Sequence, residues 1–257
     1  VVSPDLPAPP VGTRLNVFLQ RRAWTRRADR WDHADMPGLE QVVAAVECQL
    51  AGRRLNTVVD LGCGTGRLSL PLASRARTVV AVDLSEPMLA RLRERAGEAG
   101  IGNLETVLSS LERLDFAPGS VSAVVSCYAL HHLRDRDKED LIRRAFDWLE
   151  PGGVLAIGDM MLGRGVSARD RAILRSKVRS LLARGPGGLW RIVKGVVRLG
   201  ARWQERPLPP DAWVRLLTRV GFDEVTATPV VAEAAMVAGS RPVLRSEAPP
   251  RVSPWRN

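Results

Sequence analysis

The sequence predicts a doubly wound α/β fold on a mostly parallel sheet, and three observations carry the prediction. Short apolar runs at 57–61 (TVVDL), 78–83 (TVVAVD), 106–108, 121–127 (VSAVVSC) and 154–157 are brief and bounded by polar residues and glycines, as strands buried on both faces are. Helical patterns lie between them, at 87–99 and 138–149 among others, and strands alternating with helices are the mark of parallel crossover units. The first run then turns through alternate glycines, Gly62, Gly64 and Gly66, into a helix expected near Arg67. Such a turn needs residues without Cβ where the backbone bends or a ligand lies against it, and a helix start offers free N–H groups.

The remaining elements follow in chain order. Residues 1–14 read as a flexible, proline-bearing start, and 15–50 as helical, with a basic tryptophan-bearing piece at 20–32. Val42, Val43, Val46 and Leu50 then recur at helical spacing. Glu150-Pro151-Gly152-Gly153 reads as a tight turn feeding the fifth strand. Residues 167–184 and 189–203 read as two amphipathic helices separated by Gly185-Pro186-Gly187-Gly188. A helix capped by Asp211 runs to about Val220, is ended by Gly221, and leads to strands at 224–231 and 234–239. The expected organisation is cap helices and core at 15–162, a basic helical lid inserted at 163–206, completion of the core at 207–242, and a flexible tail at 243–257.

The net charge of +10 is concentrated. Between Gly163 and Arg206 there are 12 Lys/Arg against Asp170 and Glu205, and the rest of the chain balances. The basic character therefore belongs to the lid, where a solvated face, contact with an anionic membrane and a cradle for an acidic substrate are three open readings. Cys48, Cys63 and Cys127 form no C-x-x-C pair, and His33, His131 and His132 make no zinc pattern, so neither disulfide nor metal is expected. With no apolar run of membrane-spanning length and no signal-like start, the expected location is the cytoplasm.

Asp83 ends the second strand, 21 residues after Gly62. In a doubly wound fold that puts an acid where it can accept both ribose hydroxyls of a nucleoside. Arg67 stands where a dinucleotide fingerprint wants Gly or Ala, and no P-loop is present. The segments VVDLGCGTG, AVDLSEPML, SCYALHHL and EPGGVLAIGD resemble class I S-adenosylmethionine-dependent methyltransferases, and most closely their small-molecule branch, which includes ubiquinone and menaquinone C-methyltransferases. The resemblance implies seven strands with the last antiparallel, S-adenosylmethionine as cofactor and S-adenosylhomocysteine as product. It implies that Gly62, Cys63, Gly64 and Gly66 line the methionine part, with Asp60 holding the loop. It further implies Asp83 on the ribose, Leu84 and Met88 against the adenine, and Ser126 beside the methionine moiety. Relatives usually place an aspartate on the adenine amine after the third strand; this chain has Leu108-Ser109-Ser110, leaving that task to Ser109 or Ser110, or to Glu112.

The run 128–133 (YALHHL) follows the fourth strand, where groups face cofactor and substrate. His132 or His131 is the candidate general base for a phenol, alcohol or carbon acid; the alternative is that one histidine packs structurally and the other only shapes the pocket. Tyr128, Asp159, Trp190 in the lid and Trp31 are candidate substrate or lid residues, with Trp31 closing over the methyl group to exclude water. The expected function is methyl transfer to a small hydrophobic or amphiphilic metabolite such as a quinone, lipid or secondary-metabolite intermediate. The alternatives are an RNA methyltransferase and a cofactor-binding cyclase, decarboxylase or regulator. Nucleic acid is disfavoured, because Ser126-Cys127-Tyr128-Ala129 stands where base-methylating enzymes carry Asn/Asp-Pro-Pro-aromatic.

Overall fold

Strand β1 (Leu55–Leu61) shows why the sheet is covered on both sides: Val58, Val59 and Leu61 are wholly shielded from solvent, yet successive side chains of a strand point to opposite faces. Val59 and Leu61 join the core on one face, and Val58 joins the core on the other. The computed structural model describes residues 10–26, 38–162, 171, 175, 179 and 206–243.

β1 pairs in parallel with β2 (Ala76–Asp83) and β4 (Val121–Cys127). β3 (Leu104–Leu108) adds to β2, and β5 (Leu149–Met160) adds to β4, both in parallel. β6 (Asp223–Pro229) and β7 (Ala234–Ser240) complete an order β3-β2-β1-β4-β5-β7-β6, with β7 antiparallel to both neighbours. The expected seven-stranded doubly wound sheet with an antiparallel last strand is therefore what forms.

One face is covered by α2 (Leu39–Gln49) and α3 (Ser69–Ala73), whose Val43, Val46 and Leu72 pack on Val58, Val79 and Val125, while α1 (Val11–Thr25) bonds Asp137, Arg134 and the His132 main chain. Also in this half of the chain, α4 (Glu86–Glu98) sets Leu89 and Leu92 against Ala81. The other face is covered by α5 (Asp135–Trp148) and α6 (Pro210–Val220), which bury Leu141, Ile142, Trp148, Trp213 and Leu217. Full burial of each such side chain stabilises by roughly 1.5–3 kcal/mol. The buried indole N–H of Trp148 is satisfied by Asp115 at 2.7 Å.

Several local expectations are corrected. Helix begins at Val11, so the flexible start does not extend to residue 14. The helix after the glycine loop starts at Ser69 rather than Arg67, because 62–66 spends its residues on a turn in which all three glycines have positive φ. Glu150–Gly153 belongs to β5, where pairing with β4 jumps between Val121 and Ala123, so it is an irregularity inside a strand and not a turn before one. Asp211 sits in the first turn of α6 and pairs with Arg215 at 2.6 Å, while Pro209 occupies the cap position. The lid at 163–206 lies outside the described residues except for positions 171, 175, 179 and 206.

Candidate functional site

Strand order reverses beside β1, since the chain runs outward to β2 and β3 before returning to β4 on the other side. The carboxyl ends of β1 and β4 part there, which in open α/β sheets makes the ligand crevice. A cleft opens at that place. Its walls come from α1, α2, the glycine loop, the end of β2, the segment after β3 and the segment after β4.

Asp60, Gly62, Cys63 and Gly64 all line the cleft. Asp60 is buried and accepts a hydrogen bond from Ser69 Oγ at 2.5 Å, which ties β1 to the start of α3. Burial pushes its carboxyl up to about 7, against the opposing Ser69 hydrogen bond and with added repulsion from Asp83. The loop is anchored from outside as well, since the Gly62 and Cys63 N–H groups donate to Val82 O at 2.8 and 3.0 Å. Gly62 has φ +74°, and a Cβ there would sit 2.3 Å from the Ala129 methyl. Gly66 does not line the cleft; it is a packing glycine, whose Cβ would meet Leu92 Cδ1 at 2.2 Å.

Asp83 faces the cleft from the end of β2, with Oδ2 accepting from Gly64 N at 3.0 Å and Oδ1 from Ser85 N at 2.8 Å. Both oxygens are thus oriented by backbone, and each carboxylate oxygen keeps a second lone pair for a ligand hydroxyl. Burial raises the Asp83 pKa, opposed by those backbone hydrogen bonds. Leu84 and Met88 line the adjoining apolar wall. Beyond them stand Ser109, Leu111 and Glu112. Ser109 directs its N–H to Asp83 O and its hydroxyl to Ser110 O, while Ser110 itself is outside the lining. Glu112, raised chiefly by burial, is the carboxyl on this wall.

The segment after β4 separates the two histidines. His132 lines the cleft, with its ring 5.2 Å from that of Trp24 and 4.0 Å from that of His131. His131 is buried behind it, its Nδ1 donating to Asp159 Oδ1 at 2.6 Å, and neither His131 nor Asp159 reaches the cleft. Asp159 also accepts from the N–H groups of His131 and Met160, so it knits β5 to the loop instead of meeting substrate. Ser126 is likewise withdrawn: fully buried, it donates to Leu61 O at 2.8 Å. Tyr128 lines the cleft with φ +52°, its N–H held by Gly158 O at 2.9 Å. Burial raises its phenol, which keeps it a proton donor at neutral pH.

Trp31 and Trp190 lie outside the described residues. Among the described residues, the tryptophan that lines the cleft is Trp24, on α1 together with Asn16, Val17 and Gln20. Asn16 Nδ2 donates to His132 O at 3.2 Å, fastening this wall to the histidine loop. Asn16 and Gln20 were not singled out from the sequence; their signal was two amides one turn apart in a helix whose opposite side is apolar. Among the described residues there is no cluster that could hold a metal ion, and no helix is long and apolar enough to cross a membrane.

Residues 58–153 match the methyltransferase domain family. The chain is 33% identical over 135 residues to a carboxy-S-adenosyl-L-methionine synthase of Chromohalobacter salexigens, covering 49% of each. It is 35% identical over 109 residues to the ubiquinone/menaquinone biosynthesis C-methyltransferase UbiE of Escherichia coli, covering 41% of this chain and 43% of that one. It thus spans about half the length of these curated relatives. The structure of Burkholderia thailandensis 1,6-didemethyltoxoflavin-N1-methyltransferase with bound 1,6-didemethyltoxoflavin and S-adenosylhomocysteine superposes with a TM-score of 0.63. That likeness, at 16% identity, covers 92% of this chain and 93% of the other and concerns the fold.

Proposed function

With a class I S-adenosylmethionine-dependent methyltransferase domain as its core, the protein, we propose, transfers a methyl group from S-adenosylmethionine to a small hydrophobic or amphiphilic metabolite. The observation that carries this reading is that one cleft unites the glycine loop, Asp83 and His132. The residues fit the cofactor. Asp83 has its two oxygens preset to accept ribose hydroxyls, and Leu84 and Met88 offer an apolar seat for adenine. Ser109 and Glu112 supply polar partners at the adenine edge, and the 62–65 loop supplies the surface for the methionine part.

When bound, the cofactor supplies an electrophilic methyl group. This chain's contribution is to hold the acceptor in line, to exclude water and to manage a proton. Trp24 and Leu133 beside His132 make that part of the cleft apolar, which suits a hydrophobic acceptor. His132 accepts the acceptor's proton at a ring nitrogen, since an imidazole exchanges protons near neutrality. Tyr128 donates a hydrogen bond to the acceptor or to its developing charge. Asp159 and His131 position this loop from behind.

The test is incubation of the protein with methyl-labelled S-adenosylmethionine and a small-molecule extract, followed by mass spectrometry. The expected result is an apolar or amphiphilic metabolite that gains one labelled methyl. Label found only in RNA, or a chemical change confined to the cofactor, would overturn the proposal.

A further inference from the structure

α1 is amphipathic in the reverse sense for a helix on a folded core. At about 100° per residue, Thr13, Asn16 and Gln20 share one face, and these three polar side chains are the ones it buries. Val11, Leu15 and Phe18 share the opposite face and are 72%, 56% and 59% exposed. Single exposed apolar residues are ordinary; a stripe at i, i+4 and i+7 is not. Arg14, Arg21, Arg22 and Arg26 are exposed around this stripe, and α1 contains no acidic residue.

We infer that this outer face of α1 docks on an anionic lipid surface, with Val11, Leu15 and Phe18 entering the headgroup boundary and the arginines pairing with lipid phosphates. Charge selects this occupant. A second copy of the same face would bring arginines against arginines, and the 163–206 part of this chain, with 12 Lys/Arg against two acids, carries the same sign. An anionic membrane complements both the stripe and its rim, which is the pattern of an interfacial helix. The same helix turns Val17, Gln20 and Trp24 into the cleft. Docking therefore brings the cleft wall to the lipid surface, where an amphiphilic acceptor is concentrated. The docking itself does not depend on the chemistry in the cleft.

The experiment is co-sedimentation of the full chain with vesicles of phosphatidylcholine, alone or mixed with an equal amount of phosphatidylglycerol. The protein is expected to sediment with the mixed vesicles and to stay largely free with the neutral ones. Leu15→Glu/Phe18→Glu is expected to weaken binding about tenfold or more by replacing inserted hydrocarbon with charge. Arg14→Gln and Arg21→Gln should each weaken it roughly fivefold. The melting temperature of each variant should match the parent, because the altered side chains face solvent. Absence of binding to mixed vesicles overturns the inference, as does full binding by the Leu15/Phe18 variant. A melting temperature several degrees lower in that variant would assign the stripe to another part of this chain, and loss of a dimer would assign it to a second copy; either result overturns membrane docking.

Discussion

His131 Nδ1 lies 2.6 Å from Asp159 Oδ1, and the second oxygen of the same carboxylate accepts the His131 backbone N–H at 2.9 Å. One carboxylate thus grips both the ring and the main chain of a residue whose neighbour, His132, faces the cleft. The pair is buried on both sides, so removing the carboxylate leaves the ring and main-chain donors without their acceptor. Asp159→Ala should lower unfolding free energy by roughly 1–3 kcal/mol for each buried donor left without its acceptor, read by denaturant titration. Substitution of His132 should leave the same titration nearly unchanged.

The catalytic contrast runs the other way. His132→Ala is expected to slow labelled methyl transfer by roughly 10²–10⁴-fold, the usual worth of a positioned general base. Its affinity for S-adenosylhomocysteine, measured by titration calorimetry, should stay close to that of the parent if, as proposed, the ring serves the acceptor and not the cofactor. Equal losses of affinity and turnover would show that His132 shapes the cofactor seat instead.

Asp83→Ala should weaken S-adenosylhomocysteine binding by roughly tenfold or more, because a hydrogen bond to a charged group contributes about 1.5–3 kcal/mol. The same change releases the Gly64 and Ser85 N–H groups, so a moderate loss of stability accompanies it. Asp83→Asn keeps one acceptor oxygen and separates the effects. It should recover more stability than affinity if the ribose contact is real.

The buried acids set the pH dependence of stability. Asp60 moves from 3.8 to about 7, with burial the main cause. Between those values the folded protein holds a proton that the unfolded chain has released, so this contribution is fully present below pH 3.8 and is lost as pH rises through about 7. Asp83 and Glu112, also raised by burial, add slope of the same sign. Melting temperature should therefore fall on going from mildly acidic to neutral buffer, apart from the charge effects of surface groups. Asp60→Asn should flatten that fall, and an unchanged profile would show that Asp60 is ionised throughout.

Gly62→Ala tests whether the glycine loop is shaped by the protein or by its ligand. The added methyl would lie 2.3 Å from the Ala129 methyl, at φ +74°. Loss of stability and of cofactor affinity is expected even though no ligand atom is touched. Pairing the change with Ala129→Gly should relieve the clash and leave only the backbone strain, on the order of 1–2 kcal/mol. Rescue by the pair, scored by denaturation, identifies Ala129 as the reason Gly62 must be glycine.

The sheet and much of the cofactor wall were legible in the sequence because both depend on local pattern. β4 begins and ends where its apolar run does, and Asp83 stands at a strand end as its spacing from Gly62 requires. What could not be read was which way a side chain turns. Ser126 and Cys127 end the same strand, yet Ser126 turns to Leu61 O while Cys127 lines the cleft, an alternation whose phase is set by tertiary packing. His131 and His132 are adjacent and chemically identical, and only Asp159, 28 residues away, decides between them. Gly66 looked like a ligand glycine because the residue that crowds it, Leu92, comes from α4. The cap helix was expected from the tryptophan-bearing piece at 20–32, but Asn16 and Gln20 on its inward face were not legible, because polar residues in a helix read as its solvent side.

That last property has a mechanical consequence. Thr13 Oγ1 bonds Asp137 Oδ1 at 3.1 Å and is also held by Arg134, and Asn16 bonds the main chain at His132. Water can replace every one of these partners, whereas it cannot replace buried hydrocarbon. Detaching a helix held by such bonds would wet polar groups and no hydrophobic core, and would open the cleft for a spent cofactor while leaving the sheet intact. Amide hydrogen exchange should accordingly be faster along 11–25 than along 135–148, and bound S-adenosylhomocysteine should slow the first without changing the second.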